Sequence, residues 1–299
     1  MRFSYADAEL FAHAMNLPSM RKNLFRLTAA ALLSAAVLAG CSTLHEKQGQ
    51  WIFSPTDRTW GNTVELAAGM DEAWVTFDSK ETGKPTKLHL LINGNDATKP
   101  VLLYLHGARW NVVGSAWRIE RMRELGFNVV ALDYRGFGKS DADAPSEDKA
   151  YEDAQAAWHW IAQKYPNQPR LIFGHSLGGA IAIDLATKVS DERGTMVEGT
   201  FTSIPDVFST LKYGWLPVRW LISQRFDSEK KIAKIGSPLL VVHGAEDRVI
   251  APELGKRLFD AAAEPKRFEL VQGGSHHNTN SIGQAQYREA IKALFSLGG

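Results

Sequence analysis

A chain of 299 residues, 44% hydrophobic and 22% charged, holds enough apolar material for one large globular domain. Its formal net charge of +1 gives no electrostatic reason to expect a nucleic-acid partner. The single cysteine excludes an internal disulfide and any cysteine-built metal site.

The first feature in chain order begins at Met20. Arg21, Lys22 and Arg26 form a basic stretch, and Leu27–Ala39 is an apolar run. Those 13 residues at about 1.5 Å each reach roughly 20 Å, short of the ~30 Å hydrocarbon core. The run therefore reads as the apolar region of a signal peptide rather than a spanning helix. Leu38-Ala39-Gly40-Cys41 resembles the bacterial lipobox. That resemblance implies cleavage before Cys41, lipidation of its thiol, and a bacterial cell-envelope protein held by a lipid anchor. Ser42 in the next position implies the periplasmic face of the outer membrane. Asp7 and Glu9 do not suit a leader, so translation is expected to start at Met20, with residues 1–19 an upstream segment. Residues 20–40 would be the signal proper, 41–70 a lipidated tether, and 71–299 the folded domain.

Within that domain, Ala73–Phe77 and Leu88–Ile92 read as strands joined by the turn-rich Ser79–Pro85. Six short runs follow: Val101–Leu105, Val129–Leu132, Leu171–Phe173, Gly199–Thr202, Leu239–Val242 and Phe268–Val271. Mostly apolar runs without alternation suit strands buried on both faces of a parallel sheet. Helices fit between them at Ser115–Leu125, Tyr151–Lys164, Ser176–Val189, Pro252–Ala262 and Gln284–Leu297. The alternation predicts an α/β fold with a mostly parallel central sheet and helices on both faces. Ser203–Ile235 breaks the rhythm with Trp215, Pro217, Trp220 and Phe226, and reads as a small cap insertion.

Gly174-His175-Ser176-Leu177-Gly178 fits G-x-S-x-G. Three fixed positions are weak evidence alone, but this motif ends an apolar strand and opens a helix, as a nucleophile elbow must. A serine hydroxyl needs a base to attack a carbonyl and a third group to orient that base. Both follow at strand ends, in the order serine, acid, histidine. Asp247 is the preferred acid, with Glu246 as alternative. His276, after Gly273-Gly274-Ser275, is the preferred base, with His277 as alternative. Backbone amides of Leu177 and Ala108 are the candidate oxyanion donors. The chemistry calls for no metal and no organic cofactor.

Together His106-Gly107, Asp133 to Ser140, Gly174 to Gly179, His243 to Asp247 and Gly273 to His276 resemble the α/β-hydrolase superfamily, over about residues 70–297. Phe226-Asp227-Ser228 before Lys231-Ile232, and Asn278 after the double histidine, resemble a branch of membrane-linked α/β-hydrolase-domain proteins, some of them depalmitoylases, that overlaps the serine aminopeptidase-like family. The resemblance implies the α/β-hydrolase fold and a serine hydrolase working through an acyl-enzyme on a carboxylic ester or thioester, with an acyl compound as its small-molecule partner. A peptidase or amidase, or a non-catalytic lipoprotein scaffold, are the alternatives. Trp110, Trp117, Trp215 and Trp220 are candidates to line an apolar acyl pocket.

Overall fold

The computed structural model describes residues 25–27, 40, 43–211, 215 and 217–296. Cys41, and most of the segment read as a signal peptide, lie outside the described residues. The chain divides into two units, Met1–Lys47 and Gln48–Gly299, and the sheet and the site belong wholly to the second.

Eight strands form one sheet: β1 (Asp71–Asp78), β2 (Pro85–Asn93), β3 (Val101–Leu105), β4 (Asn128–Leu132), β5 (Arg170–His175), β6 (Thr195–Glu198), β7 (Leu239–Gly244) and β8 (Lys266–Val271). Their order is β1-β2-β4-β3-β5-β6-β7-β8. β2 pairs antiparallel with both β1 and β4, and every other pairing is parallel. Successive side chains of a strand point to opposite faces, so a strand covered on both sides must be apolar throughout. β3 shows this: Val101, Leu103 and Leu105 enter one apolar layer, while Leu102 and Tyr104 enter the other.

Helices supply the two covers. On one face lie α3 (Glu147–Lys164), α4 (Leu177–Ala186) and α6 (Pro252–Ala261). On the other lie α1 (Thr63–Ala68), α2 (Ala116–Glu124) and α8 (Gln284–Phe295). The short helices α5 (Ile204–Thr210) and α7 (Thr279–Ile282) sit in the loops after β6 and β8. Every residue of α4 is buried, which explains its run of Ala, Ile, Gly and Leu. α3 starts where the Ser146 side chain accepts the Lys149 amide, a hydrogen-bonded N-cap before Glu147 and Asp148.

Two expectations need correcting. The strand expected at Gly199–Thr202 lies earlier, at Thr195–Glu198, because Gly199 turns the chain at φ 56° and ends the pairing. The expected tether through residue 70 is part of the domain from residue 48 onward. Phe53 is fully buried, and the Arg109 amide donates to its carbonyl at 2.7 Å. The segment read as a cap contains α5, a 3-10 turn at Pro217–Trp220 and another at Ile232–Lys234.

Candidate active site

At the end of β5 the backbone of Ser176 takes φ 55° and ψ −121°, a combination that most L-residues avoid. The turn is so tight that a side chain at Gly174 would collide with the Gly178 carbonyl, and one at Gly178 with the carbonyl of Leu105. Glycine at both positions lets β5 reverse directly into α4 and lifts the Ser176 hydroxyl above the sheet. The Ser176 amide donates to the Glu198 carbonyl at 2.9 Å, fixing the turn to the end of β6.

Three side chains from the carboxyl ends of β5, β7 and β8 meet above this turn. His276 Nε2 lies 3.0 Å from Ser176 Oγ, and its Nδ1 lies 2.8 Å from Asp247 Oδ2. A carboxylate only accepts, so Nδ1 carries the imidazole proton and Nε2 presents a lone pair to the hydroxyl. Asp247 Oδ1 accepts from the amides of Val249 and Ile250 at 2.8 and 2.9 Å. Burial alone would raise the Asp247 carboxyl, but the neighbouring imidazoles of His243 and His276 and the Ile250 amide outweigh it and hold the group well below the usual range. His243 donates from Nε2 to the Ile250 carbonyl at 3.0 Å, with Asp247 Oδ2 at 3.4 Å from the same nitrogen.

The alternatives fall elsewhere. Glu246 is exposed, and His277 has its ring 5.3 Å from that of His276 and 5.4 Å from Trp110. Burial, then the positive surroundings of His276, Arg118 and Arg109, keep His277 below its ordinary pKa. The amides of Leu177, at the start of α4, and Ala108, after β3, both border the cavity. Neither donates to a protein acceptor among the described residues.

A cavity of about 750 Å³ opens over Ser176 and His276. Trp110 and Trp117 line it as expected from the sequence, together with Trp51 and Trp60. Trp215 and Trp220 do not: they stand 78% and 84% exposed on the outside.

Residues 96–226 match the serine aminopeptidase family, S33. An uncharacterized protein of Mycobacterium tuberculosis is 35% identical over 233 residues, 77% of this chain and 80% of that protein. A lysophosphatidylserine lipase of Danio rerio is 34% identical over 190 residues, which are 57% of this chain and 49% of that one. Among solved structures, a Pyrococcus furiosus esterase superposes with a TM-score of 0.62 at 20% identity, over 81% of this chain and 98% of its own. The chain belongs to the α/β-hydrolase superfamily.

This α/β-hydrolase also holds polar residues around His276 that the motifs do not include. His175 Nε2 donates to the backbone carbonyl of His276 at 3.0 Å, and its ring lies 4.9 Å from that of His276. Burial, with Arg118 and His276 adding to it, pushes His175 well below its ordinary pKa, so it remains a neutral donor. Arg118 of α2 reaches the His277 carbonyl at 3.3 Å and Glu198 Oε1 at 3.1 Å. Glu198 also accepts from the Tyr287 hydroxyl. The consecutive carbonyls of His276 and His277 are thus tied to the body of the hydrolase. The sequence carries little signal for this: Glu198 is a charge in a short buried strand, but Arg118 is one of several charged residues of α2.

Proposed function

We propose that this hydrolase cleaves a carboxylic ester or thioester through an acyl-enzyme, with Ser176 as nucleophile, His276 as base and Asp247 as the group that orients and stabilises it. One observation carries the reading: an unbroken hydrogen-bond chain from Ser176 Oγ through both imidazole nitrogens to Asp247, at the edge of a cavity. The Ser176 proton passes to His276 Nε2 as Oγ attacks the substrate carbonyl carbon. Negative charge develops on the former carbonyl oxygen, where the amides of Leu177 and Ala108 are the proposed donors. His276 returns the proton to the leaving alcohol or thiol, the carbon–oxygen or carbon–sulfur bond breaks, and the acyl group stays on Ser176. Water then repeats the sequence, releasing the acid and restoring the hydroxyl.

The cavity walls favour an ester over a free-amino peptide. An aminopeptidase needs an anionic side chain to receive the substrate ammonium. Among the described residues no Asp or Glu lines this cavity, whereas Arg109, Arg118 and Arg121 do. A fluorophosphonate probe should label the wild type at Ser176 and leave Ser176→Ala unlabelled, with ester turnover down roughly 10⁴-fold or more. A folded wild type that takes no label would sink the reading and favour a scaffold. Faster turnover of aminoacyl arylamides than of acyl-chain-matched 4-nitrophenyl esters would favour the peptidase alternative.

The cell-envelope location is part of the same proposal. Cys41 would be lipidated and the domain held at a membrane, so Cys41→Ala should move the protein into the soluble fraction. Retention of that variant in the membrane fraction would count against the anchor.

A further inference from the structure

The cavity above Ser176 has two unlike walls. The sheet order places β3 on one side of β5 and places β6 and β7 on the other. The wall following β6 and β7 carries Phe201, Ile204, Val207, Val249 and Ile250, all apolar. The wall following β3 carries Arg109, Arg118 and Arg121 between Trp110 and Trp117.

Arg118 is already engaged with Glu198 and the His277 carbonyl. Arg109 and Arg121 are not. Among the described residues neither guanidinium has an ion pair or a side-chain hydrogen bond, and no carboxylate lines the cavity to neutralise them. Arg121 follows Trp117 by one helical turn on α2, so the two share a face. Arg109 sits at φ 78°, a conformation glycine would adopt without strain. Its amide donates to Phe53 and its carbonyl accepts from Thr56, both at 2.7 Å, so neighbouring backbone holds this residue where it is. Arg109 is exposed and Arg121 half-buried, and two guanidinium groups without an acidic partner on one wall of a concave, largely apolar site give that wall a positive potential. Their planar forks suit the oxygens of phosphate and carboxylate.

We propose that Arg109 and Arg121 form a subsite for an anionic group, phosphate or carboxylate, on the alcohol half of an ester whose acyl chain lies along the β6–β7 wall. The assignment rests on the ester-hydrolase reading above. Attack at Ser176 divides the substrate at its carbonyl carbon. The lining residues on the β6–β7 side are all apolar, so an acyl chain can lie there but an anion would find no partner; the β3 side offers Trp110 and Trp117 as well, and it alone carries the guanidinium groups. The charge therefore belongs to the other half, on the β3 side.

Three laurate esters provide the test: glycerol monolaurate, lauroylglycerol phosphate and lauroylglycerate, neutral, phosphate-bearing and carboxylate-bearing in turn. The wild type should show kcat/KM for at least one anionic ester about tenfold or more above the neutral one, and which anion wins identifies the source of the charge. Arg109→Gln and Arg121→Gln should each reduce that ratio roughly tenfold, with Arg109→Lys and Arg121→Lys recovering part of it. Each ratio is internal to one variant, so a general loss of activity cancels. A wild-type ratio of one or below, or a ratio that neither Gln variant moves, overturns the subsite. Binding is read separately by tryptophan fluorescence of Ser176→Ala titrated with dodecyl phosphate, dodecanoate and dodecanol. If no ester is cleaved but an anionic amphiphile still binds tighter than dodecanol, the hydrolase reading falls and the anion subsite stands. Equal binding of all three amphiphiles counts against the subsite alone.

Discussion

The imidazole of His276 can accept the Ser176 proton only while its Nε2 is free, and its neighbours decide which end is free. Asp247 holds the proton on Nδ1 at 2.8 Å, and the His175 donation to the His276 carbonyl fixes the backbone behind it. The Asp247 carboxyl is held well below its ordinary pKa despite burial. A depressed carboxylate contributes its stabilisation above the unfolded pKa and loses it only as pH falls through the lowered folded value. Asp247 therefore stays anionic further into acid than an ordinary carboxyl, whereas a protonated imidazole could not take the Ser176 proton in the proposed mechanism. We expect kcat/KM to fall steadily from about pH 8 to about pH 4 while circular dichroism stays native; a flat profile would remove His276 from the role of base. In Asp247→Asn the amide can donate as well as accept, so the opposite imidazole tautomer becomes available. That variant should fold normally and lose roughly 10³–10⁴-fold in kcat. Near-wild-type turnover would show that the carboxylate is not needed.

Between β4 and α3 a buried ion pair joins two elements that no local pattern links. Arg135, in the turn after β4, donates from Nε to Asp153 Oδ1 at 2.8 Å, and its amide donates to Asp153 Oδ2 at 2.9 Å. Its guanidinium also reaches Ser79 at 3.0 Å and Glu152 at 2.6 Å, so the end of β1 is drawn into the same cluster. Both partners of the central pair are about 99–100% buried. Replacing such a pair by packed apolar groups can be nearly neutral, but removing one member strands the other charge away from water. Asp153→Ala should therefore cost about 3–5 kcal/mol in urea unfolding, with ester turnover per folded molecule unchanged. A loss under about 1 kcal/mol would mean that Glu152, the second carboxylate on the guanidinium, is enough to satisfy Arg135. The same logic explains why some elements were legible in the sequence and one was not. β3, β4 and β7 are buried on both faces and read directly as apolar runs. β6 holds Thr195 and Glu198 inside the sheet, and Glu198 is tolerable there only because Arg118 and Tyr287, from distant helices, supply its partners. Local hydropathy cannot register such partners, and the expected strand moved to the Gly199 side.

In the domain from Gln48 onward, the fold and the meeting of Ser176, Asp247 and His276 were legible because each residue follows a strand end in a sheet whose strands announce themselves. The segment at 48–62 was not, because it joins the domain through a few single residues in a polar stretch. Phe53 inserts its ring among Tyr134, Phe137 and Phe226, at centroid distances of 6.5, 6.1 and 5.8 Å. Gln48 bonds the Leu221 carbonyl and the Ser223 amide, and Thr56 pairs with the strand-like backbone at Trp110. One strap thus ties the turn after β4, the segment around 221–226 and the loop after β3 that carries Ala108 and Arg109. Loss of the Phe53 ring should remove both packing and control of that loop. Phe53→Ala is expected to cost about 3–5 kcal/mol, and well below its melting temperature it should also lower kcat on a simple ester. The second effect is the decisive one. A cavity in the core reduces stability wherever it forms, but it reduces turnover only if the strap sets the position of the loop beside Ser176. Destabilised Phe53→Ala with wild-type kcat would leave the strap as packing alone; a variant both as stable and as active as the wild type would return residues 48–62 to the status of a tether.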